Sequence, residues 1–178
     1  MPCKRALFLD RDGVINKDTG YVYKISDFEF VSGIMPVLRG AIKKDYRIFI
    51  ITNQAGIARG YYTEKDYEIL TRFMLDEFHK EDINIDAVYH CPHHPDGINE
   101  YAVRCKCRKP DIGMIMRARQ EFDDIDLAQS VLVGDKQSDI DAGKRAGIGR
   151  LVYVQDNCNC GRSTITPECI TSLQDLVL

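Results

Sequence analysis

Residues 8–14 read FLDRDGV, an apolar segment that runs directly into two carboxylates, those of Asp10 and Asp12. Asp-Gly pairs are common in surface turns, so the pair alone also fits an exposed turn. A turn does not explain the apolar residues that lead straight into the first aspartate. We therefore interpret the segment as a buried β-strand that ends in two acidic side chains.

Apolar segments of this kind recur along the chain and alternate with segments of helical periodicity. Strands are predicted at residues 5–10, 47–52, 87–90, 130–134 and 150–154, and helices at residues 35–44, 64–81, 113–122 and 136–146. This alternation predicts an α/β fold, a three-layer Rossmann-like arrangement in which helices cover both faces of a parallel sheet. The 178 residues fit one domain, 1–178, with an unassigned C-terminal tail from about residue 156 to 178.

The polar residues that end the predicted strands are the candidate catalytic residues, because ligands bind at the carboxyl ends of parallel strands. Asp10 can attack phosphorus as a nucleophile, and Asp12 can protonate the leaving alkoxide and then activate water. Asp135, which follows the fourth strand, supplies further oxygen atoms. Clustered carboxylates repel one another unless a cation joins them, and hard oxygen ligands suit Mg²⁺.

Further polar residues near the same edge suit a phosphoryl group. Thr52 and Asn53 offer a hydroxyl and an amide, while Arg108 and Lys109 supply positive charge. Taken alone, Thr52 fits a helix cap and Lys109 fits a solvated surface charge. Together, in this order along the chain, they indicate an enzyme that hydrolyses phosphate esters.

In these motifs the chain resembles the haloacid dehalogenase-like (HAD) phosphatase superfamily, over residues 4–154. The resemblance implies that Asp10 is the nucleophile and that Asp12 is the general acid/base. It also implies that Thr52 and Lys109 bind the phosphoryl group.

The same resemblance implies a Mg²⁺ site. The metal would be held by Asp10, by the main-chain carbonyl of Asp12 and by Asp135. Lys136 and Asp139 would support the site from nearby, since Asp139 lies one helical turn beyond Asp135 and suits the outer shell of the metal.

Cysteine and histidine residues cluster between residues 91 and 107. Cys91 precedes His93 and His94, and Cys105 and Cys107 follow. Thiolate and imidazole are the donors that Zn²⁺ prefers, and four of them form a closed set that is typical of a structural site. Either histidine can complete the set. A metal-pinned loop here would preorganise the two cations that follow it.

A closer resemblance points to the D-glycero-D-manno-heptose 1,7-bisphosphate 7-phosphatase family. It rests on four segments, residues 18–22, 52–60, 91–95 and 105–110. The resemblance implies the absence of a large cap domain, His93 as the zinc-binding histidine, and a sugar bisphosphate substrate whose product leads to nucleotide-activated heptose for lipopolysaccharide or surface glycans. It implies substrate contacts from Asp18, Thr19, Gly20, Tyr21, Thr52, Asn53, Gln54, Ala55, Arg108 and Lys109.

Some residues bear on the choice of substrate. Arg59 is a cation beyond those that one phosphoryl group needs, so it suits a second phosphate, although a solvated charge explains it equally well. Ala55 stands where a serine is expected and Ile112 where a proline is expected. The main alternative is histidinol-phosphate phosphatase, which shares the aspartate pair and a similar zinc loop. Its cationic substrate would require an anionic partner near the site.

A zinc-binding interaction module without catalysis is an alternative of another class, against which the intact Asp12 argues. The net charge of −3 gives no reason to expect nucleic acid as a partner. No stretch of about 18 apolar residues and no secretory signal is visible, so we predict a cytoplasmic enzyme that does not span a membrane. We also predict a monomer. The remaining cysteines of the tail lack a histidine partner and are predicted to be free thiols, at Cys158, Cys160 and Cys169.

Overall fold

The computed structural model describes residues 3–156 and 167–178. At its centre lies a parallel sheet of six strands in the order β3-β2-β1-β4-β5-β6. The strands are β1 Ala6–Leu9, β2 Arg47–Asn53, β3 Ala87–Cys91, β4 Val131–Gly134, β5 Arg150–Val154 and β6 Glu168–Ile170. Because β1 lies between β2 and β4, the segment that ends in Asp10 and Asp12 leaves the sheet near its middle.

Helices cover both faces of this sheet, as predicted. Buried residues of α1 (Ile34–Lys43) and α3 (Glu64–Lys80) pack on one face, and those of α4 (Gly113–Glu121) and α5 (Gln137–Ala146) pack on the other. A further short helix, α2 (Ala55–Ala58), follows β2. The predicted α/β class with a three-layer architecture is therefore confirmed.

The strand β1 explains why two separate cores form. Leu7 and Leu9 belong to the core under α1 and α3, whereas Ala6 and Phe8 belong to the core under α4 and α5. Side chains along a strand point alternately to opposite faces, so a continuous apolar strand fills both cores at once. All four residues are 0 % exposed.

The connection from β1 to α1 contains no cap domain. Apart from isolated bridges, its regular structure is a single 3₁₀ turn, Ile25–Asp27. The loops at the carboxyl edge of the sheet therefore determine what reaches the site. None of the helices in residues 3–156 and 167–178 has the length and apolar character needed to cross a bilayer.

The C-terminal tail is more ordered than the sequence suggests. Residues 168–170 form β6, which pairs in parallel with β5, and Leu173 and Leu176 are buried in the core under α1 and α3. Cys169 is disulfide-bonded, so the prediction of a free thiol is wrong at this residue. Cys158 and Cys160 lie outside the described residues.

Candidate active site

Asp10 lies immediately after β1, where the sheet fixes its main chain. Its N–H donates to the carbonyl of Val133 in β4 at 3.0 Å, and its Oδ1 accepts the N–H of Arg11 at 2.8 Å. The residue is 5 % exposed. Burial raises the pKa of Asp10, and the nearby positive charge of Lys109 offsets only part of that effect.

Lys109 brings a buried positive charge to Asp10. Its Nζ lies 2.9 Å from Asp10 Oδ1 and 2.7 Å from Asp139 Oδ1, and it donates to the carbonyl of Ile51 at 2.7 Å. Burial alone would lower the pKa of Lys109, but the two carboxylates outweigh it and raise that pKa. The ammonium group therefore stays charged and joins the ends of the first two strands of the chain.

Asn53 holds the main chain of Lys109 in place. The Asn53 amide donates to the Lys109 carbonyl at 3.0 Å and accepts the Lys109 N–H at 3.0 Å. This pair of hydrogen bonds uses both ends of the amide. The geometry thus places Asn53 behind Lys109, as a support for the lysine.

Asp12 is held by side chains from several directions. Arg11 donates to Asp12 Oδ1 from Nε at 3.1 Å and from Nη2 at 2.8 Å, and Asn16 donates to the same oxygen at 3.0 Å. Gln54 donates to Oδ2 at 3.0 Å. The Arg11 guanidinium is buried, donates to the carbonyl of Val22 at 2.8 Å and lies over the ring of Tyr67.

Three carboxylates at the edge of the sheet can face one cation. Oxygen atoms of Asp10, Asp135 and Asp139 lie within 4.8 Å of one another. Burial and the charge of Asp10 raise the pKa of Asp135 to about 7, and one buried oxygen of Asp135 has no hydrogen-bond partner within the described part of the chain. A hard divalent cation would satisfy that oxygen and remove the repulsion, so this donor set fits Mg²⁺.

Gly13 makes room for the acidic group. A Cβ atom at this position would lie 2.1 Å from Asp135 Oδ2, and the residue has a φ of +92°. Both the close approach and the left-handed backbone require glycine. The Gly of FLDRDGV thus shapes the site as well as the turn.

Asp139 and Lys136 lie beside the carboxylate group. Asp139 Oδ2 accepts the N–H of Lys136 at 3.0 Å, which caps α5, while Oδ1 faces Lys109. Lys136 Nζ donates to Asp18 Oδ2 at 3.0 Å and lies 3.8 Å from Asp135. The side chain of Lys136 therefore links Asp18 to Asp135.

The cysteine and histidine residues form one compact group. Donor atoms of Cys91, His93, Cys105 and Cys107 all lie within 4.8 Å of one another, and the Sγ atom of Cys107 lies 3.0 Å from that of Cys91 and 3.1 Å from that of Cys105. Three thiols and an imidazole match the donors that Zn²⁺ prefers. His94 instead accepts the N–H of Asp96 at 3.1 Å and does not join the group.

The other residues of the predicted substrate set have different surroundings. Thr52 and Gln54 are buried, whereas the exposed members are Thr19, Gly20, Tyr21 and Arg59. Ala55 is half-buried at the start of α2, and Arg108 donates to the carbonyl of His93 at 3.2 Å. Besides burial, the positive charges of Arg108 and Arg59 lower the pKa of His94.

Two clefts flank the site. One, of about 820 Å³, is bordered by Gly13, Asp18 and Asp135. The other, of about 320 Å³, is bordered by His94, Arg108 and Lys109. Of these two clefts, the smaller one is lined by positive charge, from Arg108 and Lys109.

Sequence reasoning did not identify Arg11, Asn16 or Tyr62 as parts of the site. Arg11 lies within FLDRDGV and Asn16 follows it by two residues, close enough to have been candidates, but their side-chain directions depend on the fold. Tyr62 carries no motif that would have marked it. Its hydroxyl donates to Gln54 at 2.5 Å.

Known proteins are similar to this chain over most of its length. Residues 6–158 match the family model for polynucleotide kinase 3 phosphatase. The chain is 51 % identical over 152 residues to a D-glycero-alpha-D-manno-heptose-1,7-bisphosphate 7-phosphatase of Campylobacter jejuni, which covers 85 % of this chain and 83 % of the relative. It is 42 % identical to the D-glycero-beta-D-manno-heptose-1,7-bisphosphate 7-phosphatase of Escherichia coli K12, in a match that covers 96 % of this chain and 91 % of the relative.

Solved structures show the same fold. A D,D-heptose 1,7-bisphosphate phosphatase from B. bronchiseptica, complexed with magnesium and phosphate, superposes with a TM-score of 0.82 at 27 % identity, over 96 % of this chain and 94 % of that one. A HAD-like phosphatase from Mesorhizobium loti gives a TM-score of 0.84 at 34 % identity, over 94 % of this chain and 78 % of that one.

Proposed function

Because the chain belongs to the D-glycero-D-manno-heptose-1,7-bisphosphate 7-phosphatase family, we propose that it hydrolyses the 7-phosphate of that sugar bisphosphate. The chain is a HAD-like phosphatase that uses Mg²⁺. The observation that carries the proposal is the 2.9 Å contact between Lys109 and Asp10 at the end of the central strand. That contact supports the proposal, because it joins a buried carboxylate to a buried cation at the edge of the sheet where ligands bind.

In the first step, Asp10 attacks phosphorus and forms an aspartyl-phosphate, while the sugar leaves as an alcohol. Asp12 donates the proton that the leaving alkoxide needs. Lys109 and the hydroxyl of Thr52 bind oxygens of the phosphoryl group, where negative charge must be stabilised. Since Lys109 is already buried and charged, it needs little rearrangement during the reaction.

In the second step, Asp12 takes a proton from water, which attacks phosphorus and releases phosphate from Asp10. Asp10, Asp135 and the main-chain carbonyl of Asp12 would hold Mg²⁺, with Lys136 and Asp139 in support. When bound, the metal neutralises phosphoryl charge and holds the group against the nucleophile. The outer loop from Asp18 to Tyr21 and the start of α2 then contact the sugar.

We place the second phosphate of the substrate in the smaller cleft, beside Arg108. Arg59 does not line this cleft, but its positive charge lowers the pKa of His94, which does. Two guanidinium groups suit a phosphate that is bound and not cleaved. Among the described residues that line this cleft, Asp111 is the one carboxylate, and it pairs with Arg145, so it does not supply the anionic partner that histidinol phosphate would require.

The substrate assignment predicts fast release of one phosphate per molecule of heptose 1,7-bisphosphate. The release should depend on Mg²⁺ and stop in EDTA, because the carboxylate group loses its cation. Phosphate release is measured side by side with histidinol phosphate, and both heptose anomers are supplied because relatives of both types are similar to this chain. Preference for histidinol phosphate would overturn the substrate assignment while leaving the role of Asp10 intact.

We further propose that Cys91, His93, Cys105 and Cys107 hold a structural Zn²⁺. The four donors close around one point and leave no position for a substrate. Arg108 and Lys109 directly follow the last ligand, so the metal would fix the loop that carries both cations. Zinc would thus act on catalysis through the position of these two side chains.

Replacing Cys107 with serine is expected to lower the zinc content and loosen this loop. The KM should rise several-fold, and the melting temperature should fall by about 5 °C or more, since the metal contributes to folding. Metal analysis, steady-state kinetics and thermal unfolding measure the three effects. Cys3→Ser, which changes an exposed cysteine outside the group, is the matched control. Unchanged zinc in Cys107→Ser would remove Cys107 from the ligand set.

A further inference from the structure

The side chain of Gln54 lies between Asp12 and Thr52, the two side chains that are proposed to act on the phosphoryl group. Gln54 is 1 % exposed, and its Nε2 donates to Asp12 Oδ2 at 3.0 Å and to Thr52 Oγ1 at 2.8 Å. Its main-chain N–H donates to the carbonyl of Cys91 at 2.8 Å. All three N–H hydrogens of Gln54 are therefore used inside the protein, and none is left for a substrate.

Tyr62 determines which way the Gln54 amide faces. The Tyr62 hydroxyl donates to Gln54 Oε1 at 2.5 Å, and Tyr62 is 6 % exposed. If the amide rotated by half a turn, its oxygen would face the Asp12 carboxylate and repel it. The tyrosine thus stabilises the orientation in which both amide hydrogens point at Asp12 and Thr52.

The ring of Tyr62 is itself fixed by its neighbours. It stacks on Tyr23 with ring centroids 5.0 Å apart and an angle of 10° between the planes. On another side it lies against Gly56, where a Cβ atom would come within 2.1 Å of the ring. The hydroxyl therefore has little freedom to leave Gln54.

The hydrogen bond from Gln54 has a chemical consequence for Thr52. An oxygen that accepts a hydrogen from the amide keeps its own hydroxyl hydrogen free to donate. That is the state in which Thr52 can bind a phosphoryl oxygen. The other amide hydrogen holds Asp12 Oδ2, while Arg11 and Asn16 hold Oδ1.

We propose that Gln54, locked by Tyr62, is a positioning residue that orients Asp12 and Thr52 together. The proposal rests on the roles proposed above for these two residues. It assigns Gln54 an inward role, in place of the substrate contact that the family resemblance implies. A residue of this kind affects the rate of the chemical steps more than the affinity for the substrate.

Three variants test the proposal, namely Gln54→Met, Tyr62→Phe and the double variant, with p-nitrophenyl phosphate as the substrate. Gln54→Met keeps the length of the side chain without its hydrogen bonds, and kcat should fall about 100-fold with KM changed less than about threefold. Tyr62→Phe keeps the ring and should lower kcat about tenfold. The double variant should match Gln54→Met, because Tyr62 acts through Gln54.

Tyr89→Phe is the matched control, since Tyr89 is 5 % exposed and also loses one hydrogen bond, to Glu121 at 2.7 Å, outside the site. Its kcat should equal that of the wild type. The proposal would be overturned if Tyr62→Phe lowered kcat by the same factor in the wild type and in Gln54→Met. It would also be overturned if the kcat of Gln54→Met stayed close to that of the wild type. The aryl ester makes this result independent of the sugar: if the expected pattern appears and heptose 1,7-bisphosphate is not hydrolysed, only the proposed substrate fails.

Discussion

Replacing Asp10 with asparagine is expected to lower phosphate release by a factor of about 10⁴ or more. An amide nitrogen or oxygen cannot replace the carboxylate as a nucleophile. The substitution also removes one of the proposed Mg²⁺ ligands. Phosphate release under saturating substrate and Mg²⁺ measures the effect.

The control for this variant is Asp45→Asn, which changes an exposed aspartate that pairs with Lys4 on the surface. Its activity should equal that of the wild type. A shared loss in both variants would point to a general effect of removing a charge. Normal turnover in Asp10→Asn would contradict the nucleophilic role of Asp10.

Replacing Lys109 with methionine is expected to affect both stability and activity. Methionine preserves most of the volume, but it leaves the carboxylates of Asp10 and Asp139 buried without the cation that lies 2.9 Å and 2.7 Å from them. Removing one partner of a buried ion pair costs about 3–5 kcal/mol of folding free energy. Loss of the charge that faces the phosphoryl group should lower kcat about 100-fold or more.

Chemical denaturation in EDTA measures the loss of stability of Lys109→Met, and phosphate release with Mg²⁺ measures the loss of activity. Added Mg²⁺ should restore part of the stability, since it places positive charge beside Asp10, but it should not restore the rate. Lys144→Met, at an exposed lysine of α5, is the matched control. An unfolding free energy equal to that of the wild type would contradict the account of the buried charges.

Much of the fold could be predicted because local pattern and tertiary structure agree. The five apolar segments are long enough to show as buried strands, and the helices between them have clear apolar faces. The strand β6 could not be predicted, since three residues show no periodicity and pair only because β5 is already in place. The helix α2 could not be predicted either, because its four residues are too few to show a helical period.

The candidate site could be predicted where its polar residues lie at the carboxyl ends of predicted strands. Asp10, Thr52 and Asp135 occupy such positions, and the structure brings the first of them against Lys109 from a distant loop. The inward direction of Gln54 could not be predicted, because it depends on the side chain of Tyr62. The location, the monomeric state and the single-domain organisation stay predictions.

Spacing alone left the choice of histidine in the metal group open, and the closer family resemblance implied His93. His93 and His94 are adjacent, so spacing alone could not separate them. In the folded chain His93 Nδ1 lies 3.4 Å from the Sγ atom of Cys107, whereas His94 turns to Asp96.

The most direct test of the account is to identify the phosphorylated residue during turnover. The Asp12→Asn variant should release phosphate from the aspartyl-phosphate slowly, because it lacks the base that activates water. After brief mixing with p-nitrophenyl phosphate, whose leaving group needs no proton from Asp12, and Mg²⁺, followed by an acid quench, peptide mass spectrometry should find a phosphoryl group on Asp10. Hydrolysis without this adduct, or an adduct on another residue, would contradict the claim that Asp10 is the nucleophile.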